Sequence, residues 1–475
     1  MADEESSHAL GEEEELSQFV KSLEDKIAGN LKQNRLQSFA GDPNLPGERI
    51  HIMDRVPSVL HQQNENPYSP TTISIGPLHR GAPRLQAMEP VKLSYMCALL
   101  QRTTTFEETL RDCAEAMLKL EQAVRDRYEP ARLQPCNDQN FRLAEVVLID
   151  GCFIIELLLR NFKNDYDPIL RNPFKYYAIL YDLLLLENQI PFFVLEELFN
   201  EMVGRIQIQY PPLTIWVHLF FGNIMGLENY QRRNMEKECP YHILHFLHIQ
   251  YMPACTGNTY TQRSLDDENE IDKMECDETE RMESKIIYSA TELRLAGVRL
   301  KAASNDRNLF DIRFTTGFSC NSCSTLFVKG YIEIPPFSVS DSTESVLRNL
   351  IAFELSCHWI PSYFTSFAFL MDLLINTPED VKLFEDAGII RNYLGSREEV
   401  ARLFNGICQN ANPSGFHYTK QYKQAMDFCT PWRVSTGRFR QYYFGSAWSG
   451  ISVIAAIILF TLAFMQTLYS MLSFY

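Results

Sequence analysis

Common catalytic signatures are missing from this chain: none of its 475 residues forms a G-x-S-x-G elbow, an H-E-x-x-H helix or a G-x-G-x-x-G turn. The usual hydrolase, zinc-protease and dinucleotide chemistries therefore have nothing to start from. No secretory leader is expected, since the opening MADEESSHALGEEEEL is acidic and polar where a basic and then an apolar stretch would be needed. No Asn-x-Ser/Thr acceptor with x other than proline occurs, and the 12 cysteines show no spaced framework, so reduced thiols in a cytosolic body are the expectation. Positive charge is scarce: 44 Lys and Arg against 60 Asp and Glu leave a net charge of −16, which repels phosphate backbones and argues against nucleic acid as a partner. The most informative absence is local. From Ala447 to Tyr475 there is no Asp, Glu, Lys, Arg or His.

Apolar residues fill that stretch. The run GISVIAAIILFTLAFMQTLY from Gly450 to Tyr469 holds 20 residues, and at about 1.5 Å per residue such a helix covers the roughly 30 Å hydrocarbon core of a bilayer. Ile451, Val453, Ile454, Ile457, Ile458, Leu459, Phe460, Leu462, Phe464 and Leu468 provide its large apolar side chains, and Tyr469 closes it. At roughly −0.3 to −0.6 kcal/mol each on insertion, they outweigh the off-centre Gln466. The sequence thus predicts a tail-anchored, single-pass protein that partners membrane lipid. Arg433, Arg438 and Arg440 precede the span and the tail beyond it is uncharged, so the positive-inside rule places the body in the cytosol and the C-terminus outward or in a lumen. The plasma membrane is the expected site, an endomembrane the alternative.

Upstream, Leu16, Phe19, Val20, Leu23 and Ile27 lie at helical spacing and predict a short amphipathic helix over 12–27, followed by a Gly/Pro-rich linker at 41–48; residues 1–48 form an acidic N-terminal segment. Residues 71–76 read as one short strand or extended segment between Pro70 and Pro77. A long helix, or two in tandem, is expected over 85–127, and further helices over 140–160, 173–189 (Asn172 as N-cap, Pro173 at N1) and 192–202. The apolar run 212–227 is interrupted by His218, Gly222 and Asn223, which favours a buried helix over a second span. Ten acidic residues between Asp266 and Glu283 mark 254–284 as a flexible, solvated loop. A helix over 288–297 and a small β ribbon within 298–339 come next, and helices then open at Asp341–Glu344, at Thr377-Pro378-Glu379-Asp380 and at the capping box Ser396-x-x-Glu399. The expected fold is mainly α: a large helical globular body, a small β ribbon and one C-terminal transmembrane helix.

Several words in this order carry a resemblance: Arg55-Val56-Pro57, Ser74-Ile75-Gly76-Pro77 with His79 and Gly81, Met88-Glu89 with Lys92, Asp150-Gly151-Cys152-Phe153, Leu186-Glu187-Asn188-Gln189-Ile190-Pro191-Phe192, Asn349-Leu350-Ile351-Ala352-Phe353-Glu354, and Leu374 to Val381. Through them the chain resembles the plant proteins grouped as domain of unknown function 247, from about Arg55 to Gln466, with 49–440 as the family domain. The resemblance implies a C-terminal span with pairs like Ala455-Ala456 and Gln466-Thr467, and it implies no established enzymatic activity. Some grass members are associated with self-incompatibility in pollen recognition. The chain departs from the family pattern in a Cys/Ser-rich insertion at 318–329 and in Gly445-Ser446-Ala447-Trp448, where Asn-Pro-Trp is common.

Candidate chemistry is sparse. Cys320-x-x-Cys323 is a close cysteine pair, read as two thiols or a redox-sensitive pair; zinc would need two further ligands from afar, such as Cys357 and His358. His242, His245 and His248 recur every third residue but lack a placed acidic ligand, and read as packing histidines. Gly76 to Gly81 imitates a phosphate loop without its Lys and Ser/Thr, and Asp165-Tyr166-Asp167 beside Pro168 reads as a turn. Arg55, His79, Arg80, Glu89 and Lys92 are a candidate cleft for a small anion or peptide, against the plainer reading of surface ion pairs and loop-holding hydrogen bonds. No cofactor or metal is expected. The leading expectation is a membrane-tethered recognition or scaffold protein with a protein partner; the rival is a membrane-associated enzyme of unrecognised mechanism.

Overall fold

A computed structural model describes residues 18–26, 56–57, 60, 66–77, 79–128, 142–206, 210–222, 224, 240–253, 288–304, 307–318, 328–357, 360–409, 411, 415–444 and 447–472. The chain divides into two compact units, one of Met1–Ser264, Val339–Ala368 and Ile407–Pro413, the other of Leu265–Ser338, Phe369–Gly406 and Ser414–Tyr475. The acidic loop 254–284, the linker 41–48 and the cysteine pair at 320 and 323 lie outside the described residues.

In chain order the elements are helices α1 (18–26), α2 (Glu89–Gln101), α3 (Phe106–Arg125), α4 (Leu143–Lys163), α5 (Pro173–Asp182), α6 (Phe192–Val203), α7 (Leu213–Phe221), α8 (Ile243–Tyr251) and α9 (Ala290–Leu295). Strands β1 (Val298–Ala302), β2 (Arg313–Phe318), β3 (Val328–Ile334) and β4 (Phe337–Val339) follow, then α10 (Thr343–Ser356), α11 (Tyr363–Leu374), α12 (Pro378–Asp386) and β5 (Ile390–Asn392). The last elements are α13 (Arg397–Ile407), α14 (Thr419–Phe428), α15 (Pro431–Phe444) and α16 (Ala447–Leu472). The fold is mainly α, as its composition and capping signals predict.

The first unit is built around α4. Every residue from Leu143 to Leu159 is buried, because α2, α3, α6 and α7 all pack on this helix. The other elements cover its neighbours: α10 packs against 66–68 and α8. Helix α1 buries Phe19, Val20 and Leu23, Lys26 is ion-paired with Glu145, and the Arg142 guanidinium lies 5.6 Å from the Phe19 ring centre. The stretch 85–127 resolves into two helices, α2 and α3, interrupted where the Thr103 hydroxyl donates back to the Leu100 carbonyl at 2.7 Å.

Helix α5 is shorter than the pattern predicts. Asn172 caps it by accepting from Phe174 and Lys175 amides, but it stops at Asp182 rather than at Gln189. The reason is a cluster of amide side chains that take over the carbonyls a longer helix would use: Asn188 donates to Asp182 O at 2.8 Å, and Gln189 donates to Leu183 O and Leu185 O at 2.6 and 3.0 Å. The run from Leu213 behaves as a buried helix, with Trp216, Val217, Phe220 and Phe221 inside.

In the second unit the anticipated ribbon is a mixed sheet of order β1-β3-β2. β2 pairs antiparallel with β3, but β1 runs parallel to it, with Val298 opposite Gly330, a pairing no hairpin can make. A second pair joins β4 and β5. The capping signals at Thr377 and Ser396 hold: Thr377 and Asp380 form a capping box for α12, and Ser396 Oγ accepts from Glu399 N at 3.1 Å; Ser289 and Glu292 form a further box, for α9. Asp380 also accepts from Thr291 N at 2.7 Å, tying α12 to α9. Beyond α15, helix α16 runs 26 residues without a break.

Candidate functional site

In the first unit, polar chemistry concentrates where residues 71–79 meet α2, α4 and the end of α5. The segment 71–76 is extended but joins no ladder among the described residues, so its amides must find other acceptors. Asp182 takes three of them, from Thr71, Thr72 and Ile73 at 2.8, 2.6 and 2.9 Å. Asn188 Oδ1 takes Ile75 N at 2.7 Å and returns a bond from Nδ2 to Ile73 O at 3.1 Å. Asp150 Oδ2 takes Gly76 N at 2.7 Å. Glycine is needed there: its φ is +82°, and a Cβ would lie 2.7 Å from Gln189 O.

Lys92 sits beneath this segment, fully buried. Its ammonium is ion-paired with Asp150 Oδ1 at 2.8 Å and Glu89 Oε1 at 2.7 Å and donates to Ser74 Oγ at 3.1 Å. Arg80 Nη1 approaches the other Glu89 oxygen at 3.1 Å. Burial works against the charge on Glu89, but Lys92 and Arg80 outweigh it and hold this carboxyl below its usual range. Burial pushes the Asp150 carboxyl up, while Lys92 pulls it back. His79, also buried, pairs through Nε2 with the Glu187 carbonyl at 2.9 Å.

Of the candidate cleft residues, then, His79, Arg80, Glu89 and Lys92 come together, whereas Arg55 lies outside the described residues. The plainer reading put these ion pairs at the surface; Lys92 is instead fully buried, Arg80 and Glu89 are half-buried, and the hydrogen bonds do hold the loop. The chemistry shown is that of a clasp: buried carboxylates and an amide side chain take the backbone donors of 71–76, and Lys92 balances the charge.

A second cluster uses another acid of α4, Glu156. Glu156 accepts from Arg102 Nη2 at 2.8 Å and Arg160 Nε at 2.6 Å. Asp167 accepts from Arg160 Nη1 and the Tyr95 hydroxyl, both at 2.6 Å, and from Ile169 and Leu170 amides at 2.8 and 3.0 Å. The Asp165-Tyr166-Asp167 triplet is irregular and leads into the turn that follows it, which Asp167 caps; Asp165 lies 3.2 Å from Arg102.

The three histidines are buried around the Phe353 ring, at 5.1, 5.1 and 5.6 Å between ring centres. His242 is the N-cap of α8 rather than part of it, and its Nδ1 accepts from His245 N at 3.1 Å. His245 Nδ1 accepts from Tyr241 N at 3.0 Å. Burial, then the neighbouring His248, drives His242 down to about 3, and burial likewise holds His245 well below the usual imidazole range, so both are neutral. His248 Nε2 pairs with Glu354 Oε1 at 2.8 Å, and Glu354 also receives Phe364 N, Thr365 N and the Thr365 hydroxyl at 2.9, 2.8 and 2.7 Å, capping α11. No group of three or more His, Cys, Asp or Glu with the arrangement of a metal site occurs among the described residues. The described cysteines, Cys357 among them, are buried and in no disulfide.

Asp182 and Glu354 were missed as organising residues. One signal was present for Asp182: an acid embedded in ILYDLLLL must be paired or hydrogen-bonded if that run is buried. The predicted anchor residues lie on α16, where Ile451–Ser470 is long and apolar enough to cross a membrane and none of it is buried against the protein.

Fold and site together define a class: a predominantly helical protein whose interior charges clasp an extended segment, ending in an uncovered apolar helix of membrane-spanning length. The chain belongs to the domain of unknown function 247 family, described as plant protein of unknown function, whose model matches residues 53–462. It is 26% identical to UPF0481 protein At3g47200 of Arabidopsis thaliana over 457 residues, covering 93% of this chain and 91% of that protein. It is 23% identical to the putative UPF0481 protein At3g02645 of the same plant over 518 residues, covering 91% and 92%. No solved structure matches the chain. The words through which the resemblance runs include many members of the clasp, among them Ser74, Gly76, Lys92, Asp150 and Asn188.

Proposed function

We propose that this protein is a membrane-tethered recognition or scaffold protein, its body cytosolic at the plasma membrane and its C-terminus on the far side. The observation that carries the proposal is what is left facing outward. Along α16, Ile457, Phe460 and Leu462 are 58%, 75% and 61% exposed, an arrangement favourable in lipid and unfavourable in water. In the first unit, Tyr166, Phe174 and Leu219 are 84%, 88% and 56% exposed. The same unit holds aromatic pairs in which Phe162 stacks on Trp216 at 5.7 Å and Tyr176 meets Phe220 edge-on at 5.5 Å. Exposed aromatics are what a protein partner's apolar anchors use. The association of some grass relatives with pollen recognition fits such a role.

The test is proximity labelling in plant cells with three forms: the full chain, the chain stopped before Ala447, and Phe174→Glu with Tyr166→Glu in the full chain. Expected is loss of membrane neighbours on truncation, and loss of specific protein neighbours from a still membrane-bound protein in the double variant. An unchanged neighbour set in the double variant contradicts the recognition surface. An unchanged distribution on truncation contradicts the tether. Glycosylation acceptors after Tyr475 and within 254–284 read the orientation: modification of the latter alone would invert it.

A further inference from the structure

Helix α15, just ahead of α16, carries a surface that neither the family nor the tether explains. Its inward side is fixed by close packing on α9: Val434 is buried, and at Gly437 a Cβ would sit 1.9 Å from the Leu295 carbonyl oxygen, so only glycine lets the two backbones approach. Opposite lies an exposed stripe of Trp432, Phe439 and Tyr442, exposed by 77%, 59% and 75%, at helical spacing i, i+7 and i+10. At 100° per residue these three fall within about 80° of one another. Arg433 and Arg438 border them on either side. Arg433 is held over the Phe428 ring at 4.0 Å, and Arg438 lies 3.6 Å from the Glu292 carboxylate.

The charge around this stripe is the reverse of the chain's. From Phe428 to Tyr475 there are three arginines and no acidic residue, in a protein of net charge −16. Helix α15 ends at Phe444, α16 begins at Ala447, and the two helices pack on each other. Aromatic rings with a polar edge, bordered by guanidinium groups and continuous with an apolar span, match the headgroup layer of a bilayer.

We propose that α15 is an interfacial helix whose Trp432–Phe439–Tyr442 stripe enters the headgroup region, with Arg433 and Arg438 binding anionic lipid phosphates. The inference rests on the tether reading, to which it adds a lipid class and a second contact. Arginine guanidinium pairs with phosphate in a bidentate manner, and Glu292 is the group the lipid displaces from Arg438. Each basic residue near an anionic surface is worth about 1 kcal/mol, so the pair shifts the docked-to-undocked ratio by roughly 30-fold.

The experiment uses the full chain reconstituted in nanodiscs of phosphatidylcholine, with or without phosphatidylserine, containing lipids brominated near the headgroup end of the acyl chain. Emission from Trp432 and from Trp448 is isolated by difference against Trp432→Phe and Trp448→Phe. The expected result is strong quenching of Trp432 in phosphatidylserine discs, much weaker in pure phosphatidylcholine, weakened by high salt, and reduced in Arg433→Gln/Arg438→Gln and in the milder Arg438→Gln. Trp448 should be quenched in every case. Quenching of Trp448 without Trp432 overturns the inference and leaves the tether standing. Equal quenching of Trp432 in both discs overturns the anionic-lipid assignment, and quenching of neither tryptophan overturns the tether itself.

Discussion

Helices α4 and α16 are both apolar and both long enough to cross a bilayer, at 21 and 26 residues, yet they end in opposite surroundings. Length and apolar content do not separate them. Charge does: α4 carries Glu145, Asp150 and Glu156 inside its buried stretch, and each has a cation waiting, in Lys26, Lys92 and the Arg102–Arg160 pair. Helix α16 has no ionisable group before Tyr469, and none of Ile451–Ser470 is buried against the protein. A buried acid costs several kcal/mol unless paired and hydrogen-bonded, so it is affordable only in a protein interior that supplies the counter-charge. The acids of α4 thus mark it as core, and their absence from α16 leaves it suited to lipid.

The comparison is broken most severely by removing the cation from the core helix. Lys92→Met leaves the buried Asp150 without its cation and Glu89 with Arg80 alone, and should cost about 3–5 kcal/mol, read as a lower midpoint in denaturant. Adding Asp150→Leu should recover part of that loss and not all, because Gly76 N then loses its acceptor. A small effect of the single variant would show that the clasp does not organise the unit.

The converse experiment gives α16 what the core has. Ile458→Asp puts a carboxylate at mid-span with no cation to meet it, at a cost on insertion of roughly 3–4 kcal/mol. Membrane extraction should become easier while the circular dichroism of the body stays unchanged. Unimpaired insertion would mean that α16 has a polar partner.

Proton linkage sharpens the picture of the first unit. His242, held down to about 3, and His245, also lowered, bind fewer protons folded than unfolded once the pH drops below the ordinary imidazole value. Their stabilising contribution is therefore complete above about pH 6.5 and lost as pH falls, at about 1.4 kcal/mol per pH unit for each histidine. Asp182, pushed by burial up to about 7 against the pull of its amides, works the other way: it stabilises below its unfolded value near 4 and that contribution is lost as pH rises through 7. The histidine part is isolated as the difference in pH slope between the protein and His242→Gln. Identical slopes between pH 7 and 5 would contradict buried neutral imidazoles.

Much of this was legible in the sequence because local rules decide it. Asn172-Pro173 and Thr377-Pro378-Glu379-Asp380 start helices where their caps say, and the charge-free tail forms the long apolar helix that its composition predicts. What was not legible depends on residues far apart in the chain. Nothing local shows that Asp182 takes amides from 71–73, or that Asn188 and Gln189 end α5 by taking over its carbonyls. The parallel pairing of β1 with β3 is equally non-local. In the clasp, Glu89 and Lys92 could be placed one turn apart on a helix, but their burial against Asp150 depends on a third element.

The most direct test of the account is the chain stopped at Ser446. If α16 is held by lipid and not by the protein, the truncated form keeps its helical circular dichroism and melts cooperatively within about 0.5 kcal/mol of the full chain, as expected when no core contact is removed. It also leaves the membrane fraction after a high-salt wash that strips interfacial contacts. A truncated chain that is aggregated or molten would contradict the account, because α16 would then belong to the core.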